Sequence, residues 1–85
     1  MPKLARLTDT GSHGGTIVSA SPDVRANGLG VARVGDIYDC PLHGPNPILT
    51  GSATVSADGK KVARLGDLTE CGAAITSGSP NVFAG

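Results

Sequence analysis

The chain has 85 residues, including 13 glycines and 6 prolines, and its apolar side chains are mainly Val, Ala, Leu and Ile. This length suits one domain, residues 1–85, and the composition favours short strands and turns over helices, so we expect an all-β fold. Seven basic and seven acidic residues cancel, and no run of like charge or long apolar stretch occurs, which argues against nucleic-acid binding, a cleaved signal peptide and a membrane span. With one Phe, one Tyr and no Trp, the core is small and needs a further source of stability.

A ten-residue segment occurs three times along the chain. It reads LARLTDTGSH at residues 4–13, VARVGDIYDC at residues 31–40 and VARLGDLTEC at residues 62–71. The three copies share an Ala-Arg pair, an Asp and a potential metal ligand at the last position, which indicates an internal repeat. In the first copy, Thr8 replaces a glycine and His13 replaces a cysteine.

The other half of the repeat also has three copies. They read TIVSASPDVRANG from Thr16, PILTGSATVSADG from Pro47 and AITSGSPNVFAG from Ala74. Asn27-Gly28 and Asp58-Gly59 in the first two copies favour two-residue hairpin turns, because both positions of such a turn tolerate positive φ. We therefore expect each repeat to carry a β-hairpin.

The third copy reaches Gly85 without the segment that follows it elsewhere, and the missing segment is found at residues 3–9. The repeats are thus permuted across the termini, which a linear solenoid does not explain. A closed ring explains it, because the ring brings Gly85 beside Pro2 and Lys3. We expect three β-hairpin repeats around a pseudo-three-fold axis.

Each ten-residue segment also contains an arginine followed three residues later by an aspartate. These residues are Arg6 and Asp9, Arg33 and Asp36, and Arg64 and Asp67. A ligand-binding triad is one interpretation, but equivalent charges in a small symmetric domain more often tie one repeat to the next by charge-assisted hydrogen bonds. We expect them to form structural inter-repeat ion pairs. Ser12 and the other serines have no base at the spacing of a hydrolytic triad.

His13, Cys40 and Cys71 end the three segments, so three-fold symmetry is expected to bring them together around a metal ion. The second repeat alone has an insertion, PLHGPNP at Pro41–Pro47, which contains His43 at C-x-x-H spacing from Cys40. Its three prolines are expected to stiffen a loop. The four residues complete a Cys2His2 structural zinc site with no open position for a substrate, so catalysis at the metal is not expected.

Two alternatives remain open for these side chains. Cys40 and Cys71 could form a disulfide, or remain inert buried thiols beside two solvated histidines. A disulfide leaves unexplained why His13 stands at the third equivalent position and why His43 lies in the insertion. Iron could replace zinc, because thiolate and imidazole bind it as well.

Taken together, the Ala-Arg-x-x-Asp units, the opening Pro2–Arg6, His13, His43 and Cys71 resemble the PAAR-repeat proteins over essentially the whole chain. The Pro-Ala-Ala-Arg signature is degenerate here, reading Pro-Lys-Leu-Ala-Arg, and Cys40 stands where family members commonly have a histidine. The resemblance implies a sharp cone with zinc near its apex. Its blunt base would sit on a trimeric β-helical spike, of VgrG type in type VI secretion systems or of hub-spike type in contractile phage tails.

The resemblance and the internal symmetry imply a non-enzymatic tip that caps a needle, one tip per trimer, because one three-fold chain can contact three subunits equally. Such a tip would form the membrane-piercing point, touch the target envelope transiently, and bind neither nucleic acid nor a small-molecule substrate. It would be made in the cytoplasm, then lie at a phage tail tip in the virion or be secreted by a type VI apparatus. With no toxin domain before Met1 or after Gly85, it is expected to be a bare tip. The rival interpretations are a stand-alone zinc-binding adaptor and a small metal-dependent hydrolase.

Overall fold

The computed structural model describes residues 2–85; Met1, the first residue of the expected domain, lies outside the described residues. Seven short strands occur in chain order: β1 (Thr16–Ile17), β2 (Arg25–Ala26), β3 (Leu29–Gly30), β4 (Ile37–Cys40), β5 (Gly44–Pro47), β6 (Ser56–Ala57) and β7 (Lys60–Lys61). Residues 2–85 contain no α-helix, and hence none that could cross a membrane. The expected all-β fold is confirmed.

Two of the expected hairpins are formed by β2 with β3 and by β6 with β7, both antiparallel. Their turns are Asn27-Gly28, with φ of 56° and 78°, and Asp58-Gly59, with φ of 55° and 77°. Positive φ at both turn positions matches the right-handed twist of the flanking strands. In the third repeat, the equivalent pairing is an antiparallel bridge between Lys3 and Phe83. Each repeat therefore carries this antiparallel pairing, and in the third repeat it joins the two terminal segments.

The three repeats meet at a ring of three alanines. The N–H of Ala5 donates to the carbonyl of Ala63 at 3.0 Å, that of Ala32 to Ala5 at 3.0 Å, and that of Ala63 to Ala32 at 2.8 Å. All three alanines are fully buried. Because each repeat donates to one neighbour and accepts from the other, this ring establishes the pseudo-three-fold axis.

The core is divided into two clusters of buried apolar residues. The first contains Ala5, Ile17, Ala32, Tyr38, Cys40, Ile48, Ala63, Ala73 and Ile75, and the second contains Leu4, Ala26, Val31, Ala57, Val62 and Ala84. The first cluster includes the alanine ring and one candidate metal ligand, and we call this side of the domain the ligand end. The second cluster includes one alanine from each hairpin, and we call this side the hairpin end.

The insertion after Cys40 is not the loop that the sequence suggests. Its second half is strand β5, which pairs with β4 in antiparallel register from Ile37 opposite Pro47 to Cys40 opposite Gly44. The sheet order is β1-β4-β5, so β5 is an edge strand. Proline is tolerated there because its missing N–H faces away from the neighbouring strand. The β4–β5 hairpin thus gives the ligand end a rigid support.

The arginine–aspartate pairs, expected to join one repeat to the next, close turns within their own repeats. The Nε–Oδ2 distances are 3.1 Å for Arg6 and Asp9, 2.8 Å for Arg33 and Asp36, and 3.0 Å for Arg64 and Asp67. The three-residue spacing also lets each carboxylate accept the backbone N–H of its arginine, at 2.7 to 2.8 Å. A link between repeats comes from a remaining N–H group of Arg6, whose Nη2 donates to the Gly78 carbonyl of the third repeat at 3.3 Å.

Candidate metal centre

The structure brings the four expected ligands together at the ligand end. One ligand atom from each of His13, Cys40, His43 and Cys71 lies within 4.8 Å of the other three. Cys40 is buried, His13 and Cys71 are half-buried, and His43 is exposed. The four side chains therefore form a compact cluster of potential metal ligands, which is exposed to solvent on the side of His43.

Three short turns and a strand position these side chains. His13 lies in a turn closed by a hydrogen bond from the Gly14 N–H to the Gly11 carbonyl, at 3.0 Å. Cys71 lies in the equivalent turn, closed by a bond of 3.0 Å from Gly72 to Thr69. Cys40 ends β4, and His43 lies in the turn between β4 and β5. The repeat supplies three positions, and the added hairpin supplies the fourth.

The distances between the donor atoms test whether a metal ion fits. Cys40 Sγ lies 3.5 Å from His13 Nδ1 and 3.5 Å from His43 Nδ1, and Cys71 Sγ lies 3.6 Å from His13 Nδ1. Zinc bonds of about 2.3 Å to sulfur and 2.0 to 2.1 Å to nitrogen place these atoms about 3.5 to 3.6 Å apart in a tetrahedron. The chemistry of the donors and these three distances are compatible with a tetrahedral metal ion such as zinc.

The environment of Cys71 favours the thiolate, which is the form that binds a metal. Burial raises the pKa of this thiol, but hydrogen bonds with the Thr69 hydroxyl, the Ala73 backbone, His13 and Cys40 outweigh it and lower the pKa to about 6. The Thr69 hydroxyl oxygen lies 3.3 Å from the sulfur. Both cysteines are free thiols in the structure. At neutral pH, Cys71 is therefore prepared for metal binding.

Asn46, in β5, is a supporting residue that sequence reasoning missed. Its side-chain oxygen accepts the backbone N–H of Cys71 at 3.1 Å, and its amide nitrogen donates to the Gly44 carbonyl at 2.9 Å. The side chain is buried, so both bonds are shielded from water. Asn46 thereby fixes the turn of Cys71 against the hairpin that carries His43. The sequence signal that could have indicated this role is that Asn46 stands between two prolines, as the only amide side chain of the insertion.

Tyr38 is the second missed residue, and it packs against the turn that presents His13. Its ring is fully buried, and its hydroxyl accepts the Gly15 N–H at 2.9 Å. The equivalent position in the first repeat is Gly11, where a Cβ atom would lie 2.4 Å from Tyr38 Cε1. The large ring of Tyr38 thus occupies the space that the missing side chain of Gly11 leaves open. The ring holds both ends of the turn that presents His13.

The sequence model of the PAAR motif family matches residues 7–77 of the 85-residue chain. The chain belongs to the PAAR motif family. The match confirms the resemblance and includes all four candidate ligands, while it begins after the degenerate Pro2–Arg6 segment. The PAAR family is a structural family associated with spike-tip proteins of contractile injection systems. A search of curated proteins finds no match to the chain.

Proposed function

We propose that this protein is the tip of a contractile injection apparatus. It caps a trimeric β-helical needle, of VgrG type or of phage hub-spike type, with one tip per trimer, and forms the membrane-piercing point. The observation that carries the proposal is the alanine ring of Ala5, Ala32 and Ala63, since it gives a single PAAR chain the three-fold symmetry of such a needle. Residues 1–85 form one tip domain whose repeats are permuted across the termini.

The hairpin end is the proposed base of the tip. Three equivalent valines beside the hairpins, Val24, Val55 and Val82, are 40%, 38% and 37% exposed. A matched set of three apolar side chains suits contact with three identical subunits, because each subunit then meets the same surface. The ligand end faces away from the needle and touches the target envelope transiently.

Zinc is the proposed cofactor, held by His13, Cys40, His43 and Cys71. Bound zinc links the three repeats at the ligand end and acts as a structural ion, while iron is a chemically acceptable substitute. The site offers four protein ligands, and a tetrahedral ion then has no position left for a substrate. The protein is therefore proposed to have no enzymatic activity, and its role involves neither nucleic acid nor a small-molecule substrate. Structural zinc contributes about 10 to 16 kcal/mol of binding free energy, which suits a domain with so small a core.

The metal site can be tested by elemental analysis and thermal unfolding of protein purified without added metal. We expect one zinc per chain, and we expect a chelator to lower the unfolding temperature. His43→Ala should lose zinc on dialysis and unfold at a markedly lower temperature. Leu42→Ala is the matched control, because Leu42 lies in the same turn but is 71% exposed. A metal-free protein, with the same stability in both variants as in the parent, would contradict the proposed zinc site.

The tip function can be tested by mixing the protein with a trimeric β-helical spike protein and measuring the mass of the complex by native mass spectrometry. One tip per trimer is the expected result. A Val24→Asp, Val55→Asp, Val82→Asp triple variant should remain folded and fail to bind. A folded protein that ignores every trimeric spike while binding an unrelated protein would instead establish the adaptor. As a tip, the protein is proposed to act at the end of a phage tail or after secretion by a type VI apparatus.

A further inference from the structure

A groove of about 420 Å³ lies beside strand β7, and none of the four candidate metal ligands lines it. It is lined by Val34, Leu49, Thr50, Gly51, Lys60 and Lys61. Its volume falls within the range of about 300 to 1,000 Å³ that is typical of ligand-binding sites. The groove therefore has room for a few side chains of another molecule.

One part of the lining is apolar and another is cationic. Val34 and Leu49 provide the apolar part, and Leu49 is 52% exposed. Lys60 and Lys61 provide the cationic part, and among residues 2–85 neither has a carboxylate oxygen within 4.0 Å of its ammonium nitrogen. Two lysines without carboxylate partners in a partly apolar lining favour a ligand that combines negative charge with an apolar side chain.

Gly51 lets the backbone strands that line the groove approach each other closely. A Cβ atom at this position would lie 2.6 Å from the Val62 carbonyl oxygen and 2.8 Å from Val34 Cγ2.

The neighbouring Thr50 hydroxyl is already engaged, since it donates to Asp67 at 2.9 Å and accepts the Leu68 N–H at 3.0 Å. The lysines are therefore the polar side chains of the lining that remain free to bind a ligand.

The internal symmetry of the chain supplies two comparison surfaces. The backbone bond from Val34 to Lys61 recurs from Leu7 to Gly30 and from Leu65 to Lys3. The positions of Val34, Leu49, Gly51, Lys60 and Lys61 correspond to Leu7, Val18, Ala20, Leu29 and Gly30 in one surface, and to Leu65, Thr76, Gly78, Pro2 and Lys3 in the other. The first surface has no charge, and the second has one lysine and a threonine in place of Leu49. Of the three surfaces, one alone combines two lysines with two apolar side chains.

We propose that this groove binds an acidic peptide segment of a partner protein, with glutamate or aspartate side chains on Lys60 and Lys61 and an apolar side chain against Val34 and Leu49. The lining contains no aromatic residue on which a nucleic-acid base could stack, which favours a peptide over a single-stranded nucleic acid. A concave site of this size suits a chain segment better than a flat lipid surface.

The groove differs from its two symmetry equivalents, so it binds one copy of the partner per chain, off the three-fold axis. This inference does not depend on the spike-tip proposal, because it uses neither the metal ligands nor the three valines of the hairpin end. It gives the domain a means of holding one additional protein.

The test uses the full-length, zinc-loaded protein and a fluorescein-labelled peptide of alternating glutamate and leucine. Fluorescence anisotropy should show saturable binding that weakens as salt is added, because exposed charges are screened. Lys60→Glu together with Lys61→Glu should weaken binding by about tenfold, since two exposed ion pairs are lost and repulsion replaces them. Lys3→Glu, at the position equivalent to Lys61, is the matched control and should leave binding unchanged.

Two further measurements separate this proposal from general charge attraction. A peptide with serine in place of leucine should bind more weakly, and amide chemical shifts should change around Val34, Leu49–Gly51 and Lys60–Lys61 on addition of the leucine peptide. Equal losses from Lys3→Glu and from the double variant would overturn the proposal. So would tighter binding of a single-stranded oligonucleotide or of anionic lipid vesicles than of the peptide.

Discussion

Thr8 is a position where the chain departs from its own repeat at a conformational cost. Its φ is 75°, while the equivalent Gly35 and Gly66 have φ of 95° and 91°. A β-branched residue rarely adopts this left-handed conformation, because its Cβ crowds the backbone. The Thr8 side chain is exposed, so packing does not compensate for the strain. Thr8→Gly is therefore expected to stabilise the protein.

The magnitude follows from two opposing effects. Relief of the left-handed strain is worth about 1 to 2 kcal/mol. The greater freedom of glycine in the unfolded chain opposes it by about 0.4 to 1 kcal/mol. The turn itself should persist, because the Thr8 N–H donates to Ile17 at 2.9 Å just as Gly66 donates to Ile75 at 2.8 Å. We expect a net gain of about 1 kcal/mol, which raises the unfolding temperature by about 4 to 8 °C in a domain of this size.

The assay is thermal and urea unfolding at a fixed free zinc concentration, because a bound metal adds its own contribution to the measured stability. The reciprocal variant, Gly66→Thr, should lose a similar free energy. At Gly66, an added Cβ would meet no heavy atom within 4 Å, so backbone strain alone would be measured. A neutral or destabilising Thr8→Gly, together with a neutral Gly66→Thr, would refute the reasoning.

Three other predictions concern buried polar groups. Burial raises the pKa of Asp36, but hydrogen bonds from Arg33 outweigh it and hold the pKa below the ordinary 3.8, so this stabilisation is present above pH 3.8 and is lost as the pH falls through the folded-state value. Asp36→Asn should therefore show a smaller loss of stability in acid than the parent protein, measured by urea unfolding along a pH series. Asn46→Ala should weaken zinc binding by about 10- to 100-fold in a chelator competition, because the turn of Cys71 loses its support. Tyr38→Phe should cost about 1 to 3 kcal/mol in urea unfolding, since it leaves a buried backbone N–H unpaired; an unchanged stability would mean that water replaces the hydroxyl.

Most of the fold could be predicted from sequence, because the internal repeat indicates both the three-fold arrangement and the position of each hairpin. The Asn27-Gly28 and Asp58-Gly59 turns are local signals, and the structure forms both. The antiparallel pairing of Lys3 with Phe83 could be inferred as well, because the third copy is split between the two terminal segments. The turns depend on the conformational preferences of two adjacent residues, and the terminal pairing follows from the repeat symmetry. Neither requires knowledge of contacts between unrelated segments.

The features that sequence reasoning missed depend on contacts between distant segments. The strand character of Gly44–Pro47 was hidden because its prolines suggest a loop, and only its edge position makes them acceptable. Asn46 bonds to a residue 25 positions away, which no local pattern can indicate. The arginine–aspartate pairs were expected between repeats, but the three-residue spacing is itself a turn signal that favours pairing within one repeat.

The ring of Ala5, Ala32 and Ala63 also bears on how the domain responds to force. Its three hydrogen bonds form a closed cycle, so a push along the axis is divided among three parallel linkages instead of passing through them one after another. No repeat can then slip in register without straining both neighbours at once. Because the alanine side chains are fully buried and protein interiors are closely packed, the centre of the domain should have low compressibility.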